Sequence, residues 1–556
     1  MSDSILGSTA PEAIEIGRTY DGRRIRTNKD HMLLFGGSGS GKSSKVLMNI
    51  LLDIRGDRSV FVLDTAGELA AVSAQWRSTV SKIAILNPFG VLTEYQGYDD
   101  LRGIGFNPLA SLDPESEDFN VDASLLAEAM ITVDSDSKNK HFDHSARALV
   151  AAVIMYVVIV ARQRGEIPTM ARVRELVCLD GHSLVRLAQV MSRSWCVGLR
   201  NKAAQFTNRT NEISSVVSTA QIQTEWLDDP QIARHLARND FDFASFKREP
   251  TSVYLILPPH LMERHSKWLR LLVTSALRAS MRPRRAGEPS ILFMLDEFPS
   301  IGNLKIVETM WTQVRKYSVQ LLASLQDMLQ GQDIYKQRWG SFVANAGALL
   351  FFRPNDQTTA EWLSKRLGET TRLLQTMNES ENHSGGSNSG KSFNPGGEGG
   401  STGASKGWGL TRSVNTSPVK VPLTLPHELY GLRDGEMRVF LAGVKDGLTV
   451  EAVPYFEIEN RDQRARRNPY VHDVPRRQTL PPDARRGSVP PVADPAGFDM
   501  SKWNRGNVLR FPDKQRSAPS PAPWQRAARS TTLPQPPAQR HLPPPEDWND
   551  YEDETA

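Results

Sequence analysis

The sequence of 556 residues predicts an α/β protein with a mostly parallel sheet that is interrupted by an all-α insertion. Two observations support this fold class. Short apolar runs alternate with segments of helical spacing in residues 28–112 and again in residues 246–377, as expected for strands joined by helices. Between them, residues 113–245 carry apolar residues at helical spacing and little β character. The length allows two to four domains, each with its own core.

The first predicted strand leads into a glycine-rich loop. The apolar run His31–Phe35 precedes Gly36–Ser43, which fits the pattern GxxxxGK[ST], and Ser44–Asp53 follows with helical spacing. Glycines let backbone N–H groups turn inward around phosphate oxygens, and the helix presents its positive end to them. Lys42 would reach the β- and γ-phosphates of ATP, and the Ser43 hydroxyl would bind Mg²⁺. The predicted nucleotide-binding residues are Gly36, Gly37, Ser38, Gly39, Ser40, Gly41, Lys42, Ser43 and Ser44.

The same pattern recurs in a different context at Gly385–Ser392. No strand-like run precedes this second copy, and Gly-, Ser- and Asn-rich sequence surrounds it. Without a strand before the turn and a helix behind it, no preorganised anion site is expected. The sequence therefore predicts nucleotide binding at the first copy and none at the second.

Further strands are predicted before and after the insertion. Ser59–Leu63 is β-branched and aromatic and ends at Asp64, which either supports the nucleotide site or is a turn residue; Lys82–Leu86 follows. Within the insertion, the apolar run Ala148–Ala161 is shorter than the roughly 20 residues needed to cross a bilayer, and we expect a buried helix. Ser252–Leu257 resumes the strand pattern.

A second chemical element is a buried strand that ends in two acids. The apolar run Ser290–Leu295 is followed by Asp296 and Glu297. Acids at the carboxyl edge of a parallel sheet lie where ligands bind. Asp296 would hold Mg²⁺ through a water molecule, and Glu297 would act as the general base that polarises the attacking water. The alternative is an ordinary solvated strand end.

Two weaker candidates lie near the next strand, Val319–Ser324. Gln326 follows that strand and would contact the γ-phosphate or the attacking water, although a surface glutamine has the same spacing. Arg315 closes the preceding helix. It is either an arginine finger that reaches the ATP of a neighbouring subunit or a cation placed favourably at a helix C-terminus.

Composition limits the remaining possibilities. Two cysteines, Cys178 and Cys196, exclude a disulfide framework and suit a reducing cytosol. The formal net charge of +4 does not by itself indicate nucleic-acid binding. The predicted organisation is a flexible segment at 1–27, nucleotide-binding parts at 28–112, 246–377 and 418–460, an all-α domain at 113–245, a Gly/Ser-rich loop at 378–417, and a disordered Pro/Arg-rich tail with an acidic end at 461–556.

These motifs, in this order, resemble the type IV coupling proteins, the TraG/TraD-like ATPases of bacterial conjugation and type IV secretion. The resemblance covers about residues 26–457. Besides the loop and the paired acids, it rests on the turn Asp64–Glu68, on Asn107–Leu109, on Arg248–Leu255, and on Leu295–Gly302 followed by Arg315–Tyr317 and Leu325–Gln326.

The resemblance implies a RecA/FtsK/HerA-like P-loop NTPase domain with an inserted all-α domain that recognises substrate. It implies hexameric rings that hydrolyse ATP between subunits and pump single-stranded DNA, with its attached relaxase, towards a secretion channel. Arg315 would then act in trans, and Gln326 would sense the γ-phosphate. Two features depart from the family: no transmembrane helices precede the loop, so a partner would supply attachment to the inner membrane, and Ala66 stands where the family has lysine.

Alternative functions remain open at the level of sequence. A coupling ATPase that exports protein effectors, or a HerA/FtsK-like DNA pump outside secretion, would carry the same motifs. A docking platform for relaxosome proteins, in which ATP only stabilises a ring, belongs to a different class. Glu297 and Gln326 argue against the platform, because a binding protein does not need an acid that activates water.

Overall fold

The computed structural model describes residues 13–28, 31–133, 140–208, 211–313, 317–394 and 397–477. Within these residues, eleven strands form one mixed sheet in the order β2-β1-β13-β12-β9-β3-β8-β7-β4-β6-β5. The strands of this sheet are β1 (Ile14–Arg18), β2 (Arg24–Thr27), β3 (Met32–Phe35), β4 (Arg58–Asp64), β5 (Lys82–Leu86), β6 (Thr251–Ile256), β7 (Ser290–Leu295), β8 (Val319–Leu325), β9 (Ala348–Phe351), β12 (Glu436–Leu441) and β13 (Leu448–Glu451).

The centre of the sheet is parallel, as the sequence predicts. Strands β9, β3, β8, β7, β4, β6 and β5 run in the same direction, so their carboxyl ends meet at one edge. The residues of β3, β4, β6, β7, β8 and β9 are all buried. Continuous apolar strands of this kind are expected when helices cover both faces of a sheet, and two apolar clusters lie there, one on each face.

Antiparallel strands extend the sheet beyond β9. Strand β12 pairs with β9 and with β13, and β13 pairs with β1, which pairs with β2. The prediction of a flexible segment at 1–27 is therefore wrong for residues 13–27, which include the two strands β1 and β2. The physical reason is a short alternation of apolar and polar residues in these two strands. Its apolar residues, Ile14, Ile16 and Ile25, are buried against the helix that follows the glycine-rich loop.

Fifteen α-helices lie in the described residues. They are α1 (Met48–Asp53), α2 (Glu68–Arg77), α3 (Phe119–Met130), α4 (Lys140–Arg164), α5 (Met170–Val177), α6 (Gly181–Met191), α7 (Val197–Ala204), α8 (Asn211–Gln223), α9 (Pro230–Ala237), α10 (Met262–Ser280), α11 (Lys305–Gln313), α12 (Met328–Tyr335), α13 (Trp339–Asn345), α14 (Gln357–Leu367) and α15 (Pro426–Leu429).

Helices α3 to α9 form the insertion between β5 and β6. Their position agrees with the predicted all-α segment 113–245. Helix α4, of 25 residues, is long and apolar enough to cross a membrane by length and composition. Its apolar residues from Leu149 to Ile159 are buried against the neighbouring helices, as in the core helix of a folded domain.

The predicted loop 378–417 is instead a two-stranded ribbon. Strand β10 (Glu369–Asn394) pairs antiparallel with β11 (Gly397–Pro422), from Glu369 opposite Pro422 to Asn394 opposite Gly397. The side chains from Thr371 to Glu381 are exposed. The composition predicted a loop because glycine and serine weaken strands. The two ends of this segment carry Thr, Leu and Val and pair with each other, and the pairing continues through the glycine- and serine-rich part.

The prediction of disorder from residue 461 is also wrong for the first part of the tail. Residues 461–477 form a strap that bonds to α1, to α2 and to the loop at residues 94–100. Arg461 is buried and its guanidinium pairs with Glu15 and, at 3.4 Å, with Asp53. Arg464 lies 4.4 Å above the ring of Trp76. Arginines that look solvated in the sequence thus have partners from distant segments. The rest of the predicted tail, 478–556, lies outside the described residues.

We expect the strap to contribute to the stability of the sheet. A chain that ends at residue 460 should lose about 1–3 kcal/mol of unfolding free energy, because the buried Glu15 carboxylate loses its Arg461 partner and keeps only Arg18, at 3.2 Å, and Arg24, at 3.6 Å. Urea denaturation measures this difference. A chain that ends at Arg477 keeps the strap and serves as the matched control, with stability close to that of the full chain. Equal stability of the two truncated chains would show that the strap contributes nothing.

Candidate functional site

The glycine-rich loop follows β3 at the carboxyl edge of the parallel sheet. Strands β8 and β9 lie on either side of β3. The N–H group of Gly36 donates a hydrogen bond to the carbonyl of Leu325 at 3.1 Å, and that of Phe352 donates to the carbonyl of Phe35 at 2.9 Å. These bonds continue the pairing of β3 with β8 and β9 into the loop. Gly39 and Gly41 have φ angles of 76° and 91°, a left-handed conformation that favours glycine.

Lys42 begins the helical turn Lys42–Leu47 that leads into α1. Its ammonium group donates hydrogen bonds to the carbonyls of Gly36 and, at 3.3 Å, Gly37. Burial lowers the pKa of Lys42, and the charges of Asp296 and Glu297 oppose that shift. The loop carbonyls therefore hold the ammonium group, and the paired acids are near enough for their charges to act on it.

The paired acids follow β7, which lies next to β8. The N–H group of Glu297 donates to the Asp296 carboxylate at 3.1 Å. Burial raises the pKa of Asp296 to about 6; the charge of Lys42 opposes this shift and that of Glu297 adds to it. Glu297 has a φ angle of 56°, a left-handed conformation that costs energy for a residue with a side chain. Strained backbone conformations of this kind are typical of functional sites.

Gln326 is brought to Glu297. It follows β8, and its side-chain N–H group donates to the Glu297 carboxylate at 3.5 Å, the limit of a hydrogen bond. Its backbone N–H group donates to the Gln330 side chain at 2.9 Å, at the start of α12. From the sequence, Gln326 is expected to be either a site residue or a surface residue. Its position beside Glu297 favours a site residue.

Asp64 is a third carboxyl group at this edge. It ends β4, is buried, and accepts a hydrogen bond from the Ala70 N–H group at 2.8 Å. Burial raises its pKa to about 7, and the charge of Asp296 adds to that rise. Asp64 therefore fixes the turn into α2, as one of the two alternatives predicted, and it lies close enough to Asp296 for the two charges to interact.

The residues at the loop fit a bound phosphate group. The buried Ser40 hydroxyl has no hydrogen-bond partner among the described residues, and the loop adds backbone N–H groups and the Lys42 cation. Ser43, the predicted Mg²⁺ ligand, is the second residue of the turn that starts at Lys42. Arg315 lies outside the described residues, so its predicted role stays a hypothesis.

Sequence reasoning missed two neighbours of the loop. The Asn355 side chain packs against Gly37 so closely that a Cβ atom on Gly37 would lie 2.2 Å from its amide nitrogen. Asn355 follows β9, and a search for polar residues after every parallel strand would have found it. Lys45 pairs with Asp434 at 2.6 Å; because these residues are far apart in the sequence, no local pattern indicates this pair.

Comparisons with known proteins show the family to which the chain belongs. The family model of type IV secretory system conjugative DNA transfer matches residues 5–478. The conjugal transfer protein TraG of Rhizobium radiobacter is 27% identical over 421 residues, which cover 74% of this chain and 60% of that protein. Protein VirD4 of Agrobacterium fabrum (strain C58) is 27% identical over 369 residues, covering 63% of this chain and 51% of VirD4.

Solved structures show the same fold. The unbound bacterial conjugative coupling protein TrwBdeltaN70 matches with a TM-score of 0.57 and 16% identity, over 81% of this chain and 90% of that one. TrwB in complex with ADP and Mg²⁺ matches with a TM-score of 0.56 and 16% identity, over the same shares of the two chains. The chain spans 60% or less of the length of TraG and VirD4 above.

The raised pKa of Asp64 predicts a pH-dependent stability. Between its ordinary value of 3.8 and about 7, the folded protein holds a proton that the unfolded chain releases. This carboxyl group should therefore lower the stability, by on the order of 4 kcal/mol in total, as the pH rises from about 4 to 7. Asp64→Asn should flatten that fall, measured as urea midpoints against pH; Asp296, with its pKa raised to about 6, keeps a smaller slope.

Asp180 provides a control of opposite sign. It caps α6, and its hydrogen bonds with Ser183 lower its pKa. Its contribution to stability is present at neutral pH and is lost as the pH falls, so Asp180→Asn should change the slope in the other direction. Identical pH profiles of the wild type and Asp64→Asn would show that Asp64 is ionised at low pH like an exposed carboxyl group.

Proposed function

Because this chain belongs to the family of type IV secretory system conjugative DNA-transfer proteins, the type IV coupling proteins, we propose that it hydrolyses ATP to move a relaxase-bound single-stranded DNA into a type IV secretion channel. One observation carries this proposal. Lys42, the Asp296–Glu297 pair and Gln326, which come from three separate parts of the chain, meet at one edge of the sheet.

We propose that Gly36–Ser44 bind the phosphates of ATP. The loop N–H groups and the helical turn at Lys42 supply the anion site, and the Lys42 ammonium group leaves the carbonyls of Gly36 and Gly37 for the β- and γ-phosphates. Ser43 and Asp296 would hold Mg²⁺, Asp296 through a water molecule. When bound, the metal ion neutralises charge on the β- and γ-phosphate oxygens.

Hydrolysis would rest on Glu297 and Gln326. Glu297 accepts the proton of the attacking water as general base, and Gln326 orients that water or contacts the γ-phosphate. The 3.5 Å separation between the two side chains supports this division, because one water or phosphate oxygen at this edge can reach both. The strained φ angle of Glu297 is consistent with a carboxylate that is aimed in advance.

The proposed assembly is a homo-hexamer in which Arg315 completes the site of a neighbouring subunit. The partners would be single-stranded DNA with its relaxase and relaxosome proteins, together with components of the secretion channel. The protein would work in the cytoplasm and reach the inner membrane through a partner. Membership of the family supports these partners. The geometry of the loop and the paired acids supports ATP hydrolysis, on which transport of the DNA would depend.

Replacement of the general base tests the mechanism. Glu297→Gln keeps the size and hydrogen bonding of the side chain but cannot accept a proton, so kcat for DNA-stimulated ATP hydrolysis should fall by about 10²–10⁴-fold. Binding of the ATP analogue ADPNP should be retained, because the phosphate loop is unchanged. Steady-state kinetics and calorimetry measure the two quantities. Unchanged hydrolysis in this variant would disprove the proposed role of Glu297.

The chain provides a matched control for the loop. Lys42→Ala should abolish ADPNP binding, whereas Lys391→Ala should leave it intact, since Lys391 occupies the same motif position in a ribbon strand with no helix behind it. A wild-type protein that binds ADPNP but never hydrolyses ATP, in any oligomeric state, would favour the docking platform over the motor.

The arginine finger is tested by mixing inactive subunits. Arg315→Ala and Lys42→Ala chains should each be inactive alone. If Arg315 acts in trans, mixed hexamers contain some interfaces with an intact Lys42 on one side and an intact Arg315 on the other, and part of the ATPase activity returns. A mixture of Lys42→Ala and Glu297→Gln chains is the control, because both residues belong to one side of the interface. No recovery in hexamers shown to be mixed would exclude the trans finger.

A further inference from the structure

Arg270 is a buried cation that the proposed hydrolysis does not use. It lies in the middle of α10, and only 4% of its surface is exposed. Burial lowers its pKa to about 10, so it is charged at neutral pH. Its hydrogen-bond acceptors are three backbone carbonyls. A guanidinium group presents donors in a fixed fork, so it can hold several segments of backbone at once.

Two parts of the protein meet at this guanidinium group. Its Nε atom donates to the carbonyl of Ala129 at 2.9 Å, in the last turn of α3 in the all-α insertion. Its Nη1 atom donates to the carbonyls of Ile301 at 2.6 Å and Asn303 at 2.9 Å, in the loop that follows the paired acids. One side chain therefore fastens the insertion to the nucleotide-binding part.

The loop held by Arg270 leads directly back to Glu297. A single helical turn, Phe298–Ile301, separates them, and the N–H group of Ser300 donates to the carbonyl of Glu297 at 2.9 Å. Gly302 ends this turn with a φ angle of 58°, and a Cβ atom at this position would lie 3.5 Å from the guanidinium Nη1 atom. Arg270 thus fixes the C-terminal end of the turn that follows the strained residue Glu297.

The same loop also reaches the helix that follows Gln326. The Asn303 side chain donates to the carbonyl of Ile334 at 3.2 Å, near the end of α12. The Phe298 ring stacks on Tyr335, the last residue of α12, with centroids 5.8 Å apart. Since α12 begins two residues after Gln326, a shift of the loop at Ile301–Asn303 would move both hydrolytic side chains.

We propose that Arg270 is a positioning residue that couples the state of the all-α insertion to Glu297 and Gln326. A substrate that displaces the end of α3 changes the hydrogen bonds of Arg270, and the turn at Phe298–Ile301 then carries the change to the general base. The inference rests on the proposed function, because it gives the substrate-binding insertion a means of controlling hydrolysis. The substrate class is single-stranded DNA.

Arg278 allows a matched comparison on the same pair of helices. It lies two turns further along α10 and binds Asp118, at 2.7 Å, and Asp122 at the opposite end of α3. Arg270→Lys and Arg278→Lys each replace a forked donor by a single ammonium group. Both weaken the contact between α10 and α3, but only the first removes hydrogen bonds to the loop at Ile301–Asn303.

The first measurement is ATP hydrolysis by the full chain with and without oligodeoxythymidylate. In Arg270→Lys, the ratio of DNA-stimulated to basal kcat should fall about tenfold, with KM for ATP unchanged within about twofold, because charged hydrogen bonds of this kind are worth about this factor. Arg278→Lys should keep the wild-type ratio. If both variants lose activity and stability together at an unchanged ratio, Arg270 is merely structural and the inference fails.

Hydrogen exchange tests the link without ATP or DNA. In Arg270→Lys, amide exchange should rise about tenfold both at the end of α3 and at Ser300 and Gly302, whereas Arg278→Lys should affect the start of α3 alone. Faster exchange at one of the two places only, or at neither, would overturn the coupling. If the wild type shows no DNA stimulation, the proposed function fails, and the exchange pattern still decides whether Arg270 joins the two parts.

Discussion

The parallel pairing of β3 with β8 and β9 is the constraint on which the candidate site depends. It places the glycine-rich loop next to the end of β8, and β7 lies directly beyond β8. Residues separated by most of the chain are therefore brought together by the pairing of their strands. The hydrogen bond from the Gly36 N–H group to the Leu325 carbonyl continues this pairing into the loop itself. A shift of one residue in this register would turn the side chains of β3 to the other face of the sheet and displace the loop that follows β3 relative to β8.

Several ionisable groups are buried at this carboxyl edge of the sheet, and their burial lowers the stability of the protein. Asp64 and Asp296 have pKa values raised to about 7 and about 6, mainly by burial, and burial lowers the pKa of Lys42. Glu297 adds a strained backbone conformation. Each of these features destabilises the free protein, and a phosphate and a cation bound under the proposed function would offset the buried charges. Sites that are unfavourable before binding and satisfied after it are typical of places where ligands act.

The sequence predicted the parts of this site that depend on local pattern. The strand, loop and helix around Lys42, the acids after β7 and the all-α insertion all have periodicity or spacing that one segment reveals. The strap at 461–477 and the contacts of Arg270 have none, because they are arginine bonds to carbonyls and carboxylates from distant segments. The ribbon of β10 and β11 was missed for the opposite reason, since local composition predicts a loop and only pairing between two such segments forms a strand.

The position of the insertion explains how a large helical unit can coexist with the site and still act on it. It enters the chain between β5 and β6, the last two strands at one edge of the sheet, so the strands that form the site keep their neighbours. Helix α10 follows β6 and packs against both α3 of the insertion and the turn after Glu297. The insertion is attached far from the loop in the sheet and returns to it through α10, so the proposed coupling through Arg270 would reach Glu297 and Gln326 without disturbing the register that holds Lys42. Under the proposed function, control of the acids and binding of the phosphate would therefore depend on different connections of the same sheet.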